Sequence, residues 1–270
     1  MGKKHLNIAI FCVNYHSYDA LKNYIASVSI AANKTKGQVT VNMYIADNTE
    51  KDFKDIEYVS ETCSIYIFPF HQNLGYFGAI QKMMEQQSPN QYDFNIISNV
   101  DVVLDKDFFT QLLTLPINND IAWIAPQIFS NLENRDRNPK IMKRYPKRKL
   151  QILQSLFRIP ILYNLYTHTL YKSKTLVKHE RGQIYAGHGS FIILTREYFQ
   201  RCGIINYPVF LFCEEIYLGE QCSKHKLKVI YEPKLHVIDT EHASTSSFRR
   251  TKYCKLNFEA ISYILKTYYQ

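Results

Sequence analysis

The sequence predicts an α/β fold: a mostly parallel sheet flanked by helices, interrupted by a basic helical insert. Three observations carry that expectation. Short apolar runs alternate with amphipathic segments of helix length, the pattern of βαβ units. Several runs stop abruptly at polar residues, notably Asp47-Asn48 and Asn99-Val100-Asp101. The charge is also uneven, because residues 131–182 hold 13 Lys+Arg against 3 Asp+Glu, while the rest of the chain holds 20 basic and 21 acidic residues.

The elements follow in order. Leu6–Val13 is an apolar β run, and Tyr18–Ala32 repeats its apolar residues at helical spacing. Val39–Ala46 is a second β run, Ser64–Phe68 a third, and Gly75–Gln87 a second helix. Phe94–Ser98 is the fourth strand, and it ends at the Asn99-Val100-Asp101 triplet. Ile121–Ile128 is a further apolar run. Leu150–Tyr171 is amphipathic, but Pro160 within it lacks a backbone donor and clashes with the preceding turn, which predicts two short helices. From Ile184 the β/α pattern resumes, with strands Ser190–Leu194 and Lys228–Tyr231 and helices near Glu197–Cys202 and Glu215–His225. Tyr253–Tyr269 reads as a closing helix rich in Tyr and Lys.

With 270 residues and 46% hydrophobic content, the chain has enough apolar material for a large core. No run of about 20 uncharged apolar residues occurs, so no spanning helix is expected. Leu6–Val13 is followed by Asn14, Tyr15 and His16 rather than small cleavage-site residues, and is therefore read as a strand and not a signal peptide. Six cysteines lie scattered without a Cys-x-x-Cys pair. Most have apolar neighbours and read as buried thiols, which favours a reduced, cytoplasmic setting over a disulfide framework or zinc site.

Several residues have the chemistry of a site. A carboxylate at the carboxyl end of a strand, such as Asp101, can hold a divalent metal against a diphosphate. Asp47 can accept from a nucleobase imide or a ribose hydroxyl, or can simply form an Asx turn. Asn73 is a candidate helix cap, and Gly75 a candidate for close backbone approach to a ligand. Gly187-His188-Gly189-Ser190 would let the backbone approach a sugar, or marks only a tight turn. Glu214-Glu215 starts a helix, where carboxylates suit the dipole, and also offers a general base for an acceptor hydroxyl. His242 is a candidate metal ligand beside Asp101, and Arg249 a candidate phosphate partner.

Together these segments resemble the family 2 glycosyltransferases of bacterial surface-polysaccharide synthesis, particularly the rhamnosyltransferase-like branch. The resemblance rests on Val13-Asn14-Tyr15-His16-Ser17, Asp47-Asn48, Asn73-Leu74-Gly75-Tyr76-Phe77-Gly78-Ala79, Asn99-Val100-Asp101, Phe212-Cys213-Glu214-Glu215, and Glu232-Pro233 through His242 to Ser246. It implies a GT-A fold with a Rossmann-like nucleotide-binding sheet, a nucleotide-sugar donor, a divalent metal (Mn2+ or Mg2+), and inversion at the anomeric carbon. Asp101 and His242 would hold the metal, and Glu215, with Glu214 beside it, would be the base. Val13, Asn14, Tyr15, Asp47, Asn73, Gly75, Asn99, Gly187, His188 and Arg249 would contact the donor. The expected layout is one domain over 1–270: a nucleotide-sugar-binding half (1–130), the basic insert (131–182), an acceptor half (183–250) and a closing helix (251–270). Departures from the family pattern are Asn99 for its first Asp, Glu50 for a Ser, Tyr217 for an Asp and Gln221 for an Arg.

The expected reaction is hexosyl or deoxyhexosyl transfer, with a UDP-sugar favoured and a dTDP-sugar the alternative. The acceptor is a hydroxyl of a glycan or lipid-diphosphate-linked molecule. The basic insert suits an anionic membrane surface, giving a cytoplasmic protein peripheral on the inner face of the membrane. Competing readings are a catalytically impaired sugar-nucleotide-binding relative and a nucleic-acid-binding protein. The latter explains the charge but not Asp101, Glu215 and His242, so no nucleic-acid partner is expected.

Overall fold

The computed structural model describes residues 5–51, 54, 62–169, 179–240 and 249–270. Four parallel strands form one half of the sheet: β1 (Leu6–Asn14), β2 (Val39–Asp47), β3 (Cys63–Pro69) and β4 (Phe94–Asn99), in the spatial order β3-β2-β1-β4. Helices α1 (Tyr18–Lys34) and α2 (Tyr76–Gln86) supply crossovers long enough to return the chain to a parallel neighbour. Beyond β4 the sheet becomes mixed. It continues through β9 (Phe191–Thr195), β6 (Ile121–Ser130), β10 (Lys228–Asp239) and β5 (Val102–Leu104), while β7 (Arg135–Asp136) pairs with β6 and β8 (Gly182–Ile184) with β10. Strand β9 runs antiparallel to both β4 and β6.

Both sheet faces are buried. Along β1, Ile8, Ile10 and Cys12 face the layer of α1 and α3 (Phe108–Thr114), whereas Ala9 and Phe11 face α2. That explains why the strands read as continuous apolar runs rather than as alternating ones. Helices α6 (Arg196–Cys202), α7 (Glu214–Lys224) and α8 (Arg250–Tyr268) complete the second layer around the fully buried Trp123.

The insert forms two helices, α4 (Lys147–Arg158) and α5 (Pro160–Thr169), broken as expected at Pro160. Ile159 is extended (φ −122°, ψ 95°), the conformation a following proline favours. The last strand departs from expectation by running to Asp239 rather than stopping at Tyr231. Pro233 hid the extension. The ladder with β6 jumps from Glu232↔Pro126 to His236↔Gln127, so both prolines sit at an irregularity where no ladder donor is required.

The basic surplus of the insert is partly internal. Arg144 forks onto the buried Glu220, with Nε donating to Oε1 at 2.8 Å and Nη2 to Oε2 at 3.1 Å. Arg181 pairs with buried Glu232, and Arg137 with buried Asp239, each at 2.7 Å. A buried carboxylate without such a partner would be strongly destabilising, so these arginines join the insert to the body. Among the described residues, no helix is long and apolar enough to cross a membrane.

Gly75 joins the two halves of the molecule. Its φ is +75°, and a Cβ there would stand 2.1 Å from the Phe210 carbonyl oxygen. Gly203 has a similar φ of +76° but nothing within 4 Å of a Cβ. Gly203→Ala is therefore expected to lose about 1–3 kcal/mol, the penalty of a backbone conformation (ψ −168°) that is essentially glycine's alone. Gly75→Ala is expected to lose about 3 kcal/mol or more, because the Phe210 segment must also move. Urea unfolding of both variants tests this; equal losses would mean that the 210 segment does not press on α2.

Candidate active site

The carboxyl ends of β1, β2 and β4 carry the first group of expected residues. Asn14 lies opposite Asp47 in the parallel register, and Val13 opposite Asn99. Asp47 is fully buried and its carboxylate is held by its own chain. Oδ1 accepts from Asn14 Nδ2 (3.2 Å) and the Thr49 N–H (3.1 Å), and Oδ2 from Tyr18 Oη (2.9 Å). Asp47 thus acts in this structure as an organiser of the Asn14–Ser17 and Asn48–Thr49 turns, with no open face for a base or ribose. Tyr15 is half-exposed above this knot, and the His16 N–H donates to Thr49 Oγ1 at 3.1 Å.

Three further expectations are corrected. Asn73 does not cap α2; Gly75 occupies that position, and Asn73 Oδ1 accepts from the Gly75 N–H at 3.0 Å. The close approach that Gly75 permits is to the Phe210 backbone rather than to a ligand. Gly187 is likewise small for packing, since a Cβ there would meet Ala125 Cβ at 2.6 Å and the Trp123 ring at 3.0 Å.

The triplet after β4 sits beside the start of β9. Val100 is buried, while Asn99 and Asp101 remain half-exposed. The Asn99 N–H donates to Ser190 O at 2.9 Å, bringing the Gly187–Ser190 segment against the triplet. His188 Nδ1 accepts from the Ser190 N–H at 3.2 Å and lies 2.9 Å from Ser190 Oγ. A neutral imidazole so arranged carries its proton on Nε2. The Asp101 carbonyl accepts from both the N–H (3.0 Å) and Oγ1 (2.9 Å) of Thr240, at the end of β10. His242, two residues on in sequence, lies outside the described residues.

Glu214 and Glu215 follow a turn in which Phe212 (φ 76°) and Cys213 (φ 62°) are both left-handed. Such strain costs of order 1–3 kcal/mol per residue and gathers at functional sites. Consecutive residues at the start of a helix point about 100° apart, and the two acids diverge accordingly. Glu214 turns inward and accepts the Phe212 N–H on Oε1 at 2.9 Å. Burial, and then the neighbouring Glu215, push its carboxyl up to about 8. Glu215 is half-exposed, and its Oε2 lies 4.0 Å from where a Gly189 Cβ would be.

Tyr76 is the site residue that sequence reasoning missed. Its hydroxyl donates to Gly189 O at 3.0 Å. Burial, then the charges of Glu214 and, more weakly, Asp101 hold its phenol well above the usual range. One side chain thus feels both ends of the proposed chemistry. Its position directly after Gly75, inside a quoted motif, was the available signal. Arg249 is exposed at the foot of α8, one turn before Tyr253, whose ring meets Phe212 edge-on at 5.1 Å. Tyr217 and Gln221 belong to packing: the Tyr217 ring contacts Phe77, Tyr207 and Tyr268, and Gln221 donates to Tyr268 Oη.

Among the described residues, no group of three or more His, Cys, Asp and Glu side chains forms a metal cage. The donor set still fits an ion bound mainly by a diphosphate, since Mg2+-like cations commonly take one or two carboxylates and complete their shell from phosphates and water. A separate cleft of about 380 Å³, lined by Asn7, Thr40, Asn42, Tyr44, Tyr66, Gln91 and Tyr92, holds no charged side chain and none of the expected residues.

No family model matches the sequence, and no curated protein does. Solved structures match its fold. A crystal structure of GalNAc-T7 with UDP, GalNAc and Mn2+ aligns with a TM-score of 0.58 at 12% identity, covering 97% of this chain and 48% of that one. A crystal structure of a mycobacterial protein aligns with a TM-score of 0.52 at 14% identity, covering 97% of this chain and 74% of that one. The chain therefore spans about half the length of the first structure it resembles. At these identities the likeness concerns the fold, a mixed α/β sheet of the GT-A glycosyltransferase kind.

Proposed function

We propose that this chain is an inverting glycosyltransferase that moves a sugar from a nucleotide-sugar donor to an acceptor hydroxyl, as in the rhamnosyltransferase-like branch of surface-polysaccharide synthesis. The observation that carries the reading is the meeting, across Gly189, of Glu215 with the Asn99–Asp101 end of β4. One side supplies a base and the other a station for a diphosphate. The fold, shared with a structure containing UDP, supports a nucleotide-sugar donor.

In this mechanism the donor lies over the carboxyl ends of β1, β2 and β4, on turns shaped by Asn14 and Asp47. Asn99 and His188 orient the diphosphate, and Arg249 pairs with it as charge accumulates on the leaving nucleotide. Glu215 takes the proton from the acceptor hydroxyl while its oxygen attacks the anomeric carbon from the opposite face. The bond from that carbon to the phosphate oxygen breaks, and the nucleoside diphosphate leaves. Glu214 keeps its own proton to about pH 8, leaving the base role to its neighbour. Asp101 and His242 would hold a divalent cation, which supplies Lewis-acid neutralisation of the diphosphate when bound. The acceptor is a glycan or lipid-linked molecule, met at the cytoplasmic side of a membrane, and the donor a UDP-sugar in preference to a dTDP-sugar. Arg137, Arg144 and Arg181 are engaged with buried carboxylates, which weakens the nucleic-acid alternative.

Glu215→Gln is expected to lower kcat by about 100-fold or more with little change in donor KM, the scale of a lost general base. Unchanged transfer in that variant would remove Glu215 from the mechanism. UDP-, GDP- and dTDP-sugars with Mn2+ or Mg2+ should raise the melting temperature by differing amounts, and Asp101→Ala should lose the metal-dependent part of the rise. A rise with metal that survives Asp101→Ala intact would overturn that assignment. Glu214 gives a third test. The unfolded chain releases this proton near 4.5 and the folded chain near 8, so its contribution to stability declines as pH rises between those values. Relative to native protein, Glu214→Gln should be about equally stable at pH 4 and more stable at pH 8, by on the order of 2–4 kcal/mol. Urea unfolding at several pH values reads the difference; a gap that does not grow with pH would contradict it.

A further inference from the structure

Helices α4 and α5 turn a group of aliphatic side chains to solvent. Ile152 is 61% exposed, Ile159 47%, Ile161 80%, Leu162 44% and Leu165 60%. Arg148, Ile152, Ser155 and Ile159 recur at helical spacing along the outer side, whereas Leu150 and Phe157 are buried on the other. Single exposed aliphatic residues are ordinary, but five within fourteen residues mark a contact surface. Lys143, Lys147, Arg148 and Arg158 are exposed around them, with no ion pair to a carboxylate among the described residues. From Arg137 to His179 the sequence contains no Asp or Glu.

The chemistry of this surface selects its occupant. A second copy would set four cations against four cations. A nucleic acid would meet the charge but gain little from aliphatic side chains, and the nearby Tyr163 ring is already packed between Phe157 and Tyr253. Aliphatic side chains with flanking cations and no acid suit the interface of an anionic bilayer, where the methyl groups enter the acyl boundary and the cations meet lipid phosphates. Helix α4, with 12 residues, spans only about 18 Å and would lie in the membrane plane.

We propose that the outer face of α4–α5 docks this chain on an anionic lipid surface, with Ile152, Ile159, Ile161, Leu162 and Leu165 inserted and Lys147, Arg148 and Arg158 at phosphate depth. Docking itself does not depend on the transfer reading; only its use in presenting a lipid-borne acceptor rests on that reading.

The test is co-sedimentation of the full chain with neutral phosphatidylcholine vesicles and with vesicles containing phosphatidylglycerol. Binding to the anionic vesicles should be about tenfold or more tighter and should weaken in high salt. Ile161→Glu/Leu165→Glu should lower it about tenfold or more while its melting curve and its thermal shift with nucleotide-sugars match the native chain. If the double variant fails to fold, Ile161→Gln alone, at the most exposed of these positions, should still weaken binding severalfold. Native protein that does not sediment with anionic vesicles would overturn the proposal, as would folded variants that sediment like the native chain. A dimer in sedimentation velocity that Ile161→Gln dissolves, or retention on a nucleic-acid duplex without vesicle binding, would overturn it in favour of those occupants.

Discussion

The direction of one strand makes the site possible. Because β9 runs antiparallel between β4 and β6, its entry segment, Gly187–Ser190, arrives at the carboxyl edge of β4 instead of the opposite edge. Asn99 then bonds to Ser190, Tyr76 to Gly189, and Glu215 stands over Gly189. A parallel β9 would leave the triplet and the acidic pair at different ends of the sheet. The residues that read as functional in the sequence gather here for this topological reason.

Buried charge holds the frame around that edge. Asp47 is satisfied by Asn14, Tyr18 and Thr49, which fixes the turns after β1 and β2. Glu220, Glu232 and Asp239 are each buried on the body and each answered by an arginine of the insert. Removing an arginine strands a buried carboxylate in a low-dielectric interior, so the insert is an integral part of the molecule. Lys143, Lys147, Arg148 and Arg158 face outward beside exposed aliphatic residues, and the two sets of charges have different work to do.

The acidic pair illustrates how neighbouring, chemically identical groups acquire different properties. The left-handed Phe212 and Cys213 turn the chain so that α7 begins with Glu214 inside and Glu215 facing Gly189. Desolvation keeps the first protonated over much of the neutral range. The second remains half-exposed. Tyr76 lies within the field of Glu214 and Asp101 and ties the β9 entry segment to α2.

The amino-acid order by itself determined the βα alternation, the helix break at Pro160, the polar strand ends and the candidate acids, because each is written in periodicity or in residue type at short range. It did not determine why Gly75 and Gly187 are small, since their neighbours, Phe210, Ala125 and Trp123, lie far away in the chain. Nor did it show that Asp47 faces its own turns, that Asn73 serves Gly75 rather than α2, or that β10 continues past Pro233, where the matching Pro126 lies on another strand. The charge of the insert was countable, but its division between buried partners and open surface depended on carboxylates up to 102 residues distant. Local preferences travel with the sequence; packing, burial and charge pairing depend on what the fold brings near, and here they were decided by tertiary structure alone.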